Sequence, residues 1–151
     1  IMFAYIGLSL GGLASGTLSQ IWASRKKAVM VFMGLNALLM AIYLFVPTKS
    51  LAVFYLYCFG LGIASGYWAL FVTIAAEQFG TNVRSTVATT VPNFVRGAVV
   101  PMTLSFQALK DSVGIINAGW IVGLVCVLLA MVSILYLEET HGRDLNYIDE
   151  C

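Results

Sequence analysis

The sequence predicts an all-α membrane protein with five transmembrane helices, and three observations predict it. Of its 151 residues, 60% are hydrophobic and only 10% are charged, too little polar side-chain material to coat a water-soluble globule of this size. Apolar runs near the length of about 20 residues that crosses a ~30 Å hydrocarbon core recur along the whole chain. None of them alternates polar and apolar residues in a sustained way, so strands are a poor alternative. Helices, by contrast, satisfy their own backbone hydrogen bonds in lipid, segment by segment.

Taken in order, the spans cover residues 2–22, 28–46, 51–79, 85–109 and 115–137, which make residues 1–137 a helical bundle and leave 138–151 as a tail. Span one carries Gly7, Gly11, Gly12, Ser15 and Gly16, and span three carries Gly60, Gly62, Ser65 and Gly66. Small residues four apart let helix backbones approach closely where lipid offers no hydrophobic drive for association. Span two, from Val29 onward, is almost uniformly apolar apart from Asn36, as is span five apart from Ser133, and both read as lipid-facing. Gly119 and Gly123 in span five repeat the small-residue spacing. Span four differs in kind, with Thr89, Thr90, Asn93, Arg96 and Gly97 among its apolar residues.

Short connections punctuate the spans, and their charges set the orientation. The first loop holds Arg25, Lys26 and Lys27, the third Arg84 and the tail Arg143, against only Lys49 and Lys110 in the second and fourth. Basic residues in short loops face the cytoplasm. Loops one and three and the C-terminus are therefore expected inside, in a multi-pass protein of the plasma (inner) membrane, and the odd span count places the first residues outside. Ile1 is not an initiator and opens mid-way through an apolar run, so further sequence is expected upstream; no signal peptide is visible.

The net charge of +1 gives no reason to expect a nucleic-acid partner. Cys58, Cys126 and Cys151 are widely separated and form no C-x-x-C pair, so they read as buried, inert thiols rather than a disulfide framework or zinc site. His141, the single histidine, stands in the polar tail beside Glu138 and Glu139 and reads as a solvated surface residue. No nucleophile and base occur at a telling spacing, and no phosphate loop follows a strand, so no enzyme, cofactor or metal is expected.

Arg96 is the sharpest residue. It lies roughly 18 Å along span four from the basic loop, near mid-bilayer, where a guanidinium costs at least ~2.5 to 3.5 kcal/mol and must face a bundle interior or a wet cavity. It either anchors or gates a carboxylate or hydroxyl-rich solute, or pairs structurally with carbonyls or an acid elsewhere. Pro92 and Pro101 flank it and free the carbonyls of Ala88 and Gly97, making a kink that is either structural or part of a cavity. In span three, Tyr67, Trp68, Thr73 and Gln78 supply aromatic faces and hydrogen-bonding groups to a cavity, or furnish the membrane interface.

Three segments together resemble the major facilitator superfamily, specifically the C-terminal half, spans eight to twelve, of its sugar-porter and organic-acid-porter branches. Residues 16–27, Gly-Thr-Leu-Ser-Gln-Ile-Trp-Ala-Ser-Arg-Lys-Lys, occupy the place of the family's G-x-L-A-D-R-x-G-R-R-K, with Gln20 for its aspartate and Ile21 for its first arginine. Residues 77–84, Glu-Gln-Phe-Gly-Thr-Asn-Val-Arg, resemble E-x-F-P-T-x-x-R, with Gly80 for the proline. Residues 139–145, Glu-Thr-His-Gly-Arg-Asp-Leu, look like the sugar-porter E-T-K-G-R-S-L. The resemblance implies a cytoplasmic gate involving Gly16, Arg25, Lys26, Glu77, Arg84, Glu139 and Arg143, with Glu77 and Arg84 pairing across their loop.

It also implies a secondary transporter working by alternating access on a small polar organic solute, a sugar or an organic acid. Arg96, Asn93, Tyr67, Trp68 and Thr73 are the candidate substrate pathway, Pro92 and Pro101 the candidate kinks. The expected partners are the solute, the lipid bilayer and a missing N-terminal half of the same transporter. No aspartate or glutamate lies deep in any span, so a proton symporter would carry its carboxylate upstream. The alternatives are a drug or lipid efflux transporter of the same fold and a non-transporting membrane scaffold.

Overall fold

A computed structural model describes residues 1–46 and 50–142; Lys49, Arg143, Asp144 and Cys151 lie outside the described residues. The described residues form seven α-helices and one 3-10 turn, with no strand: α1 Met2–Ile21, α2 Arg25–Phe45, α3 Leu51–Ala64, the 3-10 turn Ser65–Tyr67, α4 Trp68–Glu77, α5 Arg84–Gly97, α6 Val99–Val113 and α7 Ile115–Tyr136.

Local chemistry sets the helix ends. α1 closes in a Schellman motif: the Ser24 N–H donates to the Ser19 carbonyl and the Ala23 N–H to the Gln20 carbonyl, both at 3.2 Å, around Ala23 in the left-handed region at φ 47°. Ser24 then caps α2, its Oγ accepting the Lys27 N–H at 3.2 Å. α2 stops at Val46, whose extended backbone (φ −100°, ψ 109°) is the conformation favoured ahead of a proline, here Pro47.

Four stretches are long and apolar enough to cross a membrane: α1, α2, α3 through α4 as one span of 27 residues, and α7. The chain is an all-α membrane protein. The fourth of the five expected spans differs from expectation, because residues 84–113 are split at Ala98 into helices of 14 and 15 residues. Each is about 21 to 22 Å long, short of the ~30 Å core. The cause is local: Pro101 has no N–H for the Gly97 carbonyl, and Gly97 itself is a weak helix former. Ala98 keeps near-helical angles (φ −65°, ψ −17°), so α6 continues from α5 without a reversal of the chain. Pro92 sits inside α5, which runs through it unbroken.

Packing is tightest where α1 crosses α3. Gly7 and Gly11 lie against Gly62 and Gly66 so closely that a Cβ built on Gly66 would be 2.1 Å from the Gly11 carbonyl carbon, and one on Gly11 would be 2.2 Å from the Ile63 oxygen. The Ser15 Oγ ties the crossing by donating to the Gly66 carbonyl at 3.0 Å. A second core joins Ala28, Val29 and Met33 of α2 to Leu70 and Ile74 of α4 and Ile134 of α7. The first half of α2 is therefore central, contrary to its lipid-facing reading, because Ala28 and Val29 present a small surface to α4. α5 lies on α4, and α6 lies on α7. Exposed apolar side chains such as Leu124, Leu128, Leu129 and Leu135 cover α7, which suits a helix in lipid.

Candidate functional site

α5 carries two unlike faces. Val87, Ala88 and Val91 turn toward the bundle and are half-buried, while Thr86, Thr89, Thr90, Asn93 and Arg96 are exposed on the opposite side. The spacing of three and four residues puts these five polar groups in one stripe. The stripe is held internally: the Asn93 Nδ2 donates to the Thr89 carbonyl at 3.0 Å, and the Arg96 Nη1 donates to the Asn93 Oδ1 at 3.1 Å. Asn93 thus fixes the guanidinium from its own helix. Beside them lies an open cleft of about 620 Å³ lined by Thr90, Asn93, Phe94, Gly97 and Ala98.

The other pathway candidates lie elsewhere. Tyr67 and Trp68 line a separate, apolar cavity of about 300 Å³ with Val29, Met33, Phe71 and Ile134, and the Trp68 ring leans on Phe71 at a centroid distance of 5.5 Å. The Thr73 hydroxyl donates to its own helix at Ala69, 2.9 Å away. The structure brings Asn93 and Arg96 together and places the three α4-side residues apart from them.

At the basic end of the bundle the motif residues converge. The Arg25 Nη2 lies 2.6 Å from the Glu77 Oε1, both side chains largely buried. This corrects the Glu77–Arg84 pairing implied by the resemblance. Arg84 instead donates to the Phe79 carbonyl at 3.1 Å and the Ala76 carbonyl at 3.3 Å, closing its own loop. The reason is geometric: a guanidinium this near the end of α4 reaches the loop carbonyls before the Glu77 carboxylate, which points into the bundle toward α2.

Glu139 accepts hydrogen bonds from the Ser24 hydroxyl and from the Arg25 N–H at 2.9 Å, binding the start of the tail to the start of α2. Desolvation is the largest single influence on its carboxyl and pushes the pKa up. Hydrogen bonds from the Ser24 hydroxyl and the Arg25, His141 and Lys26 backbones together outweigh it and hold the group below the usual carboxylate range. The Lys26 Nζ donates to the Leu135 and Leu137 carbonyls at 2.7 and 3.0 Å, satisfying the free end of α7. Gly16 has open space where a Cβ would stand. Arg143 lies outside the described residues.

The chain is similar to facilitated trehalose transporters. Over 100 residues it is 29% identical to the facilitated trehalose transporter Tret1-2 homolog of Drosophila sechellia, a match that covers 66% of this chain and 20% of that protein. It is 28% identical over 89 residues to facilitated trehalose transporter Tret1 of Drosophila yakuba, covering 59% of this chain and 10% of that one. The matches thus span between a tenth and a fifth of the curated relatives' length. No family model and no solved structure matches the chain.

Sequence reasoning passed over Ser24, which the structure makes both the cap of α2 and the anchor of Glu139. A serine immediately before a basic helical start was the available signal. It also took His141 as solvated, whereas that residue is half-buried and its Nδ1 has no partner among the described residues. Cys58 and Cys126 are half-buried rather than enclosed.

Proposed function

We propose that the chain is part of a secondary transporter that moves a small polar organic solute, a sugar foremost, across the membrane by alternating access. One observation carries this reading: a membrane protein exposes a stripe of three threonines, an asparagine and an arginine on α5. Lipid is a poor neighbour for these groups, so the stripe borders either further protein or a watery path. The similarity to facilitated trehalose transporters favours the path.

On this reading α5 and α6 together make the fifth crossing, with Pro92 and Pro101 bending it, and the N-terminal half of the same transporter faces the stripe across the path. Arg25, Glu77, Ser24 and Glu139 form a latch at the cytoplasmic end. It ties α2, α4 and the tail while that end is closed and releases them as it opens. Removing one charge from a buried pair leaves the other uncompensated, so Glu77→Gln weakens the closed state.

The test is uptake by proteoliposomes holding the full-length protein. Labelled trehalose and glucose are expected to enter saturably and to be accelerated by unlabelled sugar on the far side, the sign of a carrier that alternates. Glu77→Gln is expected to lower the exchange rate on the order of tenfold. Absence of saturable entry for either sugar would sink the proposal.

A further inference from the structure

We infer that the apolar cavity between α2, α4 and α7 holds one acyl chain of an anionic phospholipid, whose phosphate meets Lys26 at the cavity's rim. The site is separate from the polar stripe of α5 and does not depend on the transport reading.

The cavity, of about 300 Å³, has a floor, an open side and a charged rim. Val29, Ile74 and Ile134, all buried, make the floor. Trp68 and Val95, 38% and 40% exposed, stand at the open side with the exposed Ser133. The Ser133 hydroxyl donates back to the Leu129 carbonyl at 2.8 Å, so it demands nothing polar of an occupant. Val95 follows Val91 by one turn on the bundle face of α5, away from the polar stripe. The cavity therefore opens beside α7, where the exposed Leu128, Leu129 and Leu135 suit a lipid neighbour. A void forfeits dispersion contacts along every wall, and acyl chain is the abundant apolar matter at this depth.

The rim selects a phospholipid over a plain hydrocarbon. Leu137 lines the cavity, and its carbonyl accepts a hydrogen bond from the Lys26 Nζ at 3.0 Å, beside the Leu135 carbonyl at 2.7 Å. These bonds fix the ammonium at the rim. Both partners are neutral, so an arriving phosphate meets the lysine's full charge and its third N–H. At this end Glu77 is engaged by Arg25 and Glu139 by the Ser24 hydroxyl and the Arg25 N–H, while Lys27 is exposed next to Lys26. Basic side chains flanking a span attract anionic headgroups. The depth also fits: Trp68 lies about 13 Å further along α4 than Glu77, so the cavity runs from headgroup level into the acyl region. A chain entering past Lys26 brings its middle carbons to Trp68.

The test titrates the full-length protein in detergent micelles with phosphatidylglycerol brominated midway along its chains, because bromine quenches tryptophan fluorescence on contact. Saturable quenching is expected in the wild type. Its saturable part is expected to vanish in Trp68→Phe, which removes the reporter, and in Ala130→Phe, which fills the cavity. Diacylglycerol with the same brominated chains but no phosphate is expected to need on the order of tenfold more for half-saturation, the size of one charge-assisted contact. Lys26→Gln is expected to shift the phosphatidylglycerol curve by a similar factor. Quenching that never saturates, or that survives in Trp68→Phe, overturns the site, as does no quenching at all, the result if another segment of the full-length chain fills the cavity. Equal half-saturation for the two lipids overturns the phosphate contact and requires no variant to fold.

Discussion

Ala23 occupies the left-handed region at φ 47°, at the C′ position of the Schellman motif that ends α1. Glycine is the usual residue there, and it is also the residue that the G-x-L-A-D-R-x-G-R-R-K pattern carries at this point. An L side chain in that conformation costs about 1 to 2 kcal/mol. Glycine loses more backbone freedom on folding, by about 0.4 to 1 kcal/mol, so the first effect exceeds the second. Ala23→Gly is therefore expected to stabilise the protein by about 0.5 to 1 kcal/mol, read as a rise of a few degrees in the thermal unfolding midpoint in detergent. A lowered midpoint would contradict this backbone geometry. The same loop explains why Ser24 matters: the reversal at Ala23 aims its side chain back at α2 and at Glu139 together.

At the scale of elements, the α1–α3 crossing sets the spacing of the bundle. Gly66→Ala would drive a methyl into the Gly11 backbone, with no flexible side chain nearby to yield, and the helices would have to separate. Overpacking of this kind costs typically 1 to 3 kcal/mol, and here the Ser15 bond to the Gly66 carbonyl is stretched as well. Gly34→Ala, where a Cβ meets nothing within 4 Å, is the control and should leave the thermal midpoint unchanged or raise it by a few degrees, because alanine favours the helix interior by up to about 1 kcal/mol. Equal midpoints for the two variants would show the crossing to be looser than described. The small-residue spacing in spans one and three was legible because close approach leaves a direct trace in residue size. The partner of Arg25 was not, since Glu77 is 52 positions away and only the bundle brings them to 2.6 Å. The pathway residues divided for a similar reason. Asn93 and Arg96 share a helix face, which periodicity reveals, whereas which way Tyr67 and Trp68 turn depends on the 3-10 turn at Ser65–Tyr67, a break that hydropathy does not register.

At the scale of the whole molecule, whether α5 and α6 together cross the membrane decides which side the α6–α7 corner faces. Neither helix is long enough alone, yet Ala98 keeps near-helical angles, and the two helices of 14 and 15 residues sum to a span of roughly 43 Å if collinear. That length crosses a ~30 Å core even when bent. A re-entrant loop would instead return α6 to the side from which α5 set out, and it would need a reversal that the backbone at Ala98 does not make. Single cysteines placed at Ser50, Ser85 and Ser112 of the full-length protein, with Cys58, Cys126 and Cys151 replaced by alanine, distinguish the two. All three serines are exposed, ahead of α3, at the start of α5 and near the end of α6. With a fifth crossing, a membrane-impermeant maleimide labels positions 50 and 112 from one side of the membrane and 85 only from the other, which intact cells and inverted vesicles distinguish. Labelling of 85 and 112 from the same side would show that the segment turns back. The polar stripe of α5 would then lie in a re-entrant loop rather than along a transmembrane path.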